Sequence, residues 1–208
     1  MVFAGIIAVL LFLALVIGDW FHFTTLKPWA ARYGCPLARR QDVLLGNPST
    51  LFPSGFQGSS LLALPHGVAR WIQDQHIMVI RPTYRLFSLR FRTAWPLKGT
   101  IDFHTEGERL VFRLSKRIPW SSATLTGIWL AFVIGGTVVF VAMYAMDGGF
   151  STAGGVFWAI GMIALGLLVL AGGVILLAFS YRLEDSRLMQ VYDELVEALK
   201  NSDEASPD

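Results

Sequence analysis

The chain has 208 residues, of which 54% are hydrophobic and 15% charged, with a formal net charge of +2 and a mean hydropathy of +0.53. A soluble domain carries about 25% charged residues, so the deficit points to a bilayer as part of the solvent. The same composition excludes a disordered or collagen-like chain, and the single cysteine, Cys35, excludes a disulfide scaffold.

Three uncharged runs hold the apolar excess: residues 2–18 (VFAGIIAVLLFLALVIG), 125–146 (LTGIWLAFVIGGTVVFVAMYAM) and 155–180 (GVFWAIGMIALGLLVLAGGVILLAFS). As helices they would be roughly 26, 33 and 39 Å long, against a hydrocarbon core of about 30 Å. The first needs Trp20 and Phe21 to extend it into the interface, where amphipathic rings are favoured. It lacks a basic n-region and no A-x-A site follows it, so an uncleaved signal anchor over 1–21 is expected.

Residues 19–123 contain fourteen of the seventeen basic residues against six acids, an excess of eight positive charges. Near the ends of the runs, Lys27 and Arg32 follow the first, while Arg109, Arg113, Lys116 and Arg117 precede the second. The connector 147–154 has one acid and no base, and Arg182 and Arg187 follow the third run. The positive-inside rule then puts the amino terminus outside, and the basic domain and carboxyl tail inside. The expected location is a bacterial inner membrane.

None of the three runs contains an ionisable residue. Intramembrane charges mark ion pathways and proton relays, so a transporter, pump or channel is not expected. All four histidines lie outside the runs, which excludes bis-histidine haem ligation within the membrane. The runs do carry small residues at helical spacing. Gly155, Ala159, Gly166 and Gly173 fall within roughly 40° of one another on the third helix, and Gly127, Ala131 and Gly135 repeat every four residues on the second. Such faces let helix backbones approach closely in lipid. They serve either the hairpin between these two helices or a partner chain.

Between the first two runs, residues 22–60 form a basic juxtamembrane segment and loop. Part of 24–46 would lie along anionic headgroups or form an ordinary basic surface loop. The proline, glycine and serine content of 47–60 marks a loop. From 61 to 122 the pattern turns to strands, at 69–73, 76–80 and 84–92, where Leu89 and Phe91 alternate with Arg90 and Arg92. Residues 99–104 and 109–115 predict a hairpin around Thr105-Glu106-Gly107-Glu108. Four to six short antiparallel strands are expected, in a small sheet or partial barrel. Residues 183–200 read as an amphipathic helix, with Leu188, Tyr192, Leu195 and Leu199 on one side and five acids on others. Docking of this acidic helix on the basic domain is expected, with charge complementarity fixing its orientation more than its affinity. Residues 201–208 are expected to be a disordered acidic tail.

The fold class is therefore an α+β integral membrane protein. It has spans at 1–21, 123–146 and 155–181, a short external loop at 147–154, a β-rich cytoplasmic domain at 61–122 and a helix at 182–200. Bacterial pleckstrin-homology-type modules share the outline of a basic, strand-rich domain beside a membrane.

No phosphate loop, dinucleotide fingerprint, C-x-x-C, H-E-x-x-H or G-x-S-x-G is present. His66 and His76 lack a nearby carboxylate pair, and no base is placed to activate Cys35, so both histidines and the thiol read as structural. Arg81-Pro82-Thr83-Tyr84-Arg85, with Asp102-Phe103-His104-Thr105-Glu106-Gly107, resembles the paired R-x-x-x-R and D-x-S-x-x-G signature of the PilZ family, small β-barrels that bind cyclic di-GMP. His104 stands where that family has serine, and the interval between the halves is short. The resemblance implies Arg81, Arg85 and Asp102 as anion or nucleotide contacts, since arginine forks suit a dianion. The leading expectation is a non-enzymatic accessory or scaffolding subunit of a membrane complex, contacting lipids and other membrane subunits, without cofactor, metal, nucleic acid or small-molecule substrate. The alternative is a membrane-tethered sensor of a cyclic dinucleotide or anionic lipid.

Overall fold

A computed structural model describes residues 2–45, 60–83, 93–106 and 109–204. The expected strand at 84–92, most of the loop at 47–60 and Gly107-Glu108 of the hairpin turn lie outside these residues. Three helices are long and apolar enough to cross a membrane: α1 (Val2–Thr24), α2 (Trp120–Met146) and α3 (Ala153–Glu204). Between α1 and α2 come β1 (Cys35–Leu45), β2 (Leu61–Ala63), β3 (Gly67–Ile72), β4 (Ile77–Pro82), β5 (Lys98–Glu106) and β6 (Arg109–Ile118). They form one antiparallel sheet in the order β1-β6-β5-β4-β3-β2. It is thus a meander from β2 to β6 with β1 added beside β6. The chain divides into two compact units, one of residues 1–121 with 183–208 and the other of residues 122–182.

In the first unit, the hairpin read from sequence is β5–β6, in register from Lys98↔Arg117 to Glu106↔Arg109. β1 is the strand the sequence concealed. Arg39-Arg40-Gln41-Asp42 and Pro36 resemble a basic loop, yet an edge strand tolerates proline and charge on its open side. The strand pairs with β6 from Cys35↔Ile118 to Leu45↔Arg109, with a bulge between Pro36 and Ala38. β4 lacks alternation because both its faces are covered, leaving Ile77, Met78, Val79 and Ile80 essentially inaccessible.

One sheet face carries Trp71, Phe103 and Phe112, whose rings pack with centroids 5.3 and 4.9 Å apart. The carboxyl half of α3 lies over this face and buries Leu188, Val191, Tyr192, Leu195 and Leu199. Gly67 is what allows the close approach, since a Cβ there would sit 2.5 Å from Val191. Polar latches surround this seam. Lys116 pairs with Asp185, His66 Nδ1 lies 2.5 Å from Glu194, and Arg40 stands over the Tyr192 ring at 5.6 Å. The buried Glu184 accepts from Thr93 Oγ1 and Arg187, both at 2.9 Å. Burial, followed by a hydrogen bond to Asp42, raises the Tyr192 phenol above its ordinary value.

Two expectations need correction here. The helix at 182–200 is not separate from the third apolar run, because no glycine or proline follows Gly173 before Glu204 and the helix continues unbroken. It also extends through 201–204, four of the residues read as a disordered tail.

The opposite sheet face is covered near one end by residues 24–34. A short 3-10 turn at Pro28–Ala30 brings Ala31 and Leu26 against Ile72, Ile77 and Val79. Gly34 closes the segment at φ +110°, where a Cβ would stand 2.6 Å from the Ile118 carbonyl. In the second unit, α2 and the apolar half of α3 form a hairpin closed by Tyr144, whose ring packs on Phe140 and Phe150.

Candidate functional site

The small-residue faces read from sequence separate into two groups. On α3, a Cβ at Gly166 would lie 2.5 Å from Thr137 Oγ1, a Cβ at Gly173 would overlap the Trp129 ring, and Ala159 is 1% exposed. Gly155 abuts the Gly149 carbonyl in the connecting loop. The α3 face is therefore used inside the hairpin. On α2, no atom lies within 4 Å of a Cβ built at Gly127 or Gly135, and Ala131 between them is exposed.

The candidate anion contacts do not converge. Arg85 lies outside the described residues. Arg81 follows Ile80, which pairs with Gly99, so its neighbour across the ladder is Lys98. Asp102 is four residues farther along β5, roughly 13 Å away, and its carboxylate is taken by Arg32 at 2.9 Å. Arg81 instead donates to the Thr24 carbonyl at 2.5 Å. That carbonyl is at the end of α1, where a helix leaves its last acceptors without intrahelical partners and its dipole favours a cation.

Arg81 belongs to a row that sequence reading missed. Arg81, Lys98 and Arg117 stand side by side on β4, β5 and β6, and each donates to a backbone carbonyl of residues 24–34. Lys98 Nζ reaches Ala30 at 2.8 Å and Arg117 reaches Gly34 at 3.0 Å, while Thr100, two residues on, donates to Ala31 at 2.8 Å. Lys98 is fully buried with its ammonium 4.7 Å from the Phe23 ring centre. Burial first, then the charges of Arg117 and Arg81, pull its pKa down to about 7. Burial likewise lowers the Arg117 guanidinium, with Asp102 opposing and Arg32 and Arg39 reinforcing the shift. A period-two pattern would have exposed this row, but Lys98 is the first residue of β5 and is followed by a glycine, where the pattern is weakest.

A second clamp joins α1 to the start of α2. Asp19 accepts from the Ser121 backbone N–H at 2.9 Å and from its hydroxyl at 2.6 Å, and Tyr33 donates to the other carboxylate oxygen at 2.5 Å. A carboxylate at the first turn of a helix acts as its cap, although this one comes from another helix. The hydrogen bond to Asp19 raises the Tyr33 pKa to about 12.

Among the described residues, no group of three or more histidine, cysteine or carboxylate side chains could hold a metal ion. His66 is engaged by Glu194, through both its ring and its backbone N–H. No protein-family model, curated protein or solved structure matches the chain.

Proposed function

We propose that the chain is a non-enzymatic accessory subunit of a larger membrane complex. In this reading it sits in a bacterial inner membrane with its amino terminus outside and its sheet and carboxyl terminus in the cytoplasm. The observation that carries the reading is the asymmetry between the two small-residue faces: that of α3 is filled by Trp129 and Thr137, whereas on α2 nothing lies within 4 Å of a Cβ built at Gly127 or Gly135 and Ala131 is exposed. An open face of small residues at four-residue spacing suits close packing by another helix in lipid, where no hydrophobic drive operates between apolar surfaces. The partner is a membrane-spanning subunit.

The test is affinity purification of the full chain from native membranes in mild detergent, with mass spectrometry of what accompanies it. A stoichiometric membrane protein, lost on replacing Gly127 and Gly135 by leucine, is the expected result. Purification as a lone monomer overturns the reading.

A further inference from the structure

We infer that the open part of the sheet face bearing Arg39 and Arg113, edged by Arg32 of the covering segment and by Arg117, binds the phosphates of anionic lipid headgroups. The inference does not depend on the subunit role. Among the described residues, Asp102 is paired with Arg32, and Asp102, Arg32 and Arg39 all act on the charge of Arg117. In the strand register Arg113 lies opposite Asp102 and Arg39 opposite Ser115, on the same face, and Arg117 is two residues beyond Ser115. Arg32 reaches Asp102 from the segment after α1 at 2.9 Å, with 64% of its own side chain still exposed. The cluster thus carries an excess of three positive charges.

Arg39 and Arg113 carry the argument furthest. Both are exposed, and among the described residues neither has a hydrogen bond or an ion pair. Exposed arginines without a partner among the described residues, on the face where Arg32 already occupies Asp102, are arranged for an external anion, and the planar guanidinium fork matches phosphate oxygens.

The source of the phosphate follows from where the chain enters its apolar helices. Arg117 is three residues before the first residue of α2, and Arg32 is eight residues after the last residue of α1. Two large aromatic side chains flank them, Trp29 at 57% and Trp120 at 50% exposure. Tryptophan beside cations is the arrangement favoured at the boundary between headgroups and acyl chains. A dissolved phosphate compound would need neither ring.

The experiment uses the full chain in micelles containing equal amounts of phosphatidylglycerol and phosphatidylcholine, with retained lipid counted by native mass spectrometry. The wild type should retain phosphatidylglycerol preferentially. Replacing Arg39 and Arg113 together by glutamine should lower that preference roughly thirty-fold, since each cation near such a surface contributes about a fivefold factor. Lys200→Glu changes the net charge by the same amount at the exposed end of α3 and should leave the preference intact. An unchanged thermal midpoint shows that the double variant is folded. Equal retention of the two lipids overturns the inference, as does an equal loss with Lys200→Glu. Binding of inorganic pyrophosphate at the arginines without any lipid preference also overturns it.

Discussion

Lys98 offers a prediction in which the sign of the effect reverses with pH. Its ammonium is fully buried, faces Arg81 and Arg117 on either side, and has a folded pKa of about 7 against an ordinary 10.5. A gap of about 3.5 corresponds to roughly 5 kcal/mol against the charged form when the pH is below 7. The unfolded chain holds the proton more tightly, so stability is lowest below pH 7 and rises between pH 7 and 10.5. Lys98→Met keeps the apolar stem and removes the charge, but it also leaves the Ala30 carbonyl without its donor, which costs about 1–3 kcal/mol. At pH 6 the variant should therefore be more stable than the wild type by about 2–4 kcal/mol. At pH 10 the charge penalty has shrunk below about 1 kcal/mol, and the variant should be the less stable by up to about 2 kcal/mol. Urea unfolding in detergent micelles, followed by tryptophan fluorescence at the two pH values, measures both differences. A variant that is less stable at both, or equally altered at both, would show that burial of the Lys98 charge does not govern stability.

Gly67→Ala should destabilise the seat of α3 on the sheet by about 1–3 kcal/mol, because its Cβ meets Val191; adding Val191→Ala should recover part of that loss in the same urea titration. Asp19→Ala removes the cap on Ser121 and should cost about 1–2 kcal/mol, read as a lower thermal midpoint, whereas Asp19→Asn retains an acceptor and should lose less. Gly173→Leu drives a side chain into Trp129 and should reduce cysteine cross-linking between α2 and α3. Gly127→Leu, on the open face, should leave that cross-linking unchanged.

The three apolar helices were legible because a bilayer demands uninterrupted hydrophobic length, a property of consecutive residues. The β5–β6 hairpin was legible for a similar reason, since two alternating runs about a glycine are a local signal. β1 was not, because its partner is about seventy residues away in sequence and its charges belong to two environments: Arg40 and Asp42 face Tyr192, and Arg39 faces outward. Docking of the carboxyl-terminal helix was expected from its acids and the bases of the domain, whereas its contact with the sheet is made by buried Leu188, Val191, Leu195 and Leu199 and only part of the basic excess takes part. Lys116, Arg40 and His66 engage that helix, while Arg39, Arg113 and Arg117 lie on the other face of the sheet.

Sequence alone thus determined which segments are apolar enough to cross a membrane and which must remain in water, because transfer free energy adds residue by residue along the chain. Tertiary structure alone decided which cations are neighbours. The Arg81–Lys98–Arg117 row and the arginines round Asp102 exist only through strand register, and a shift of one residue would move each strand's side chains to the opposite face.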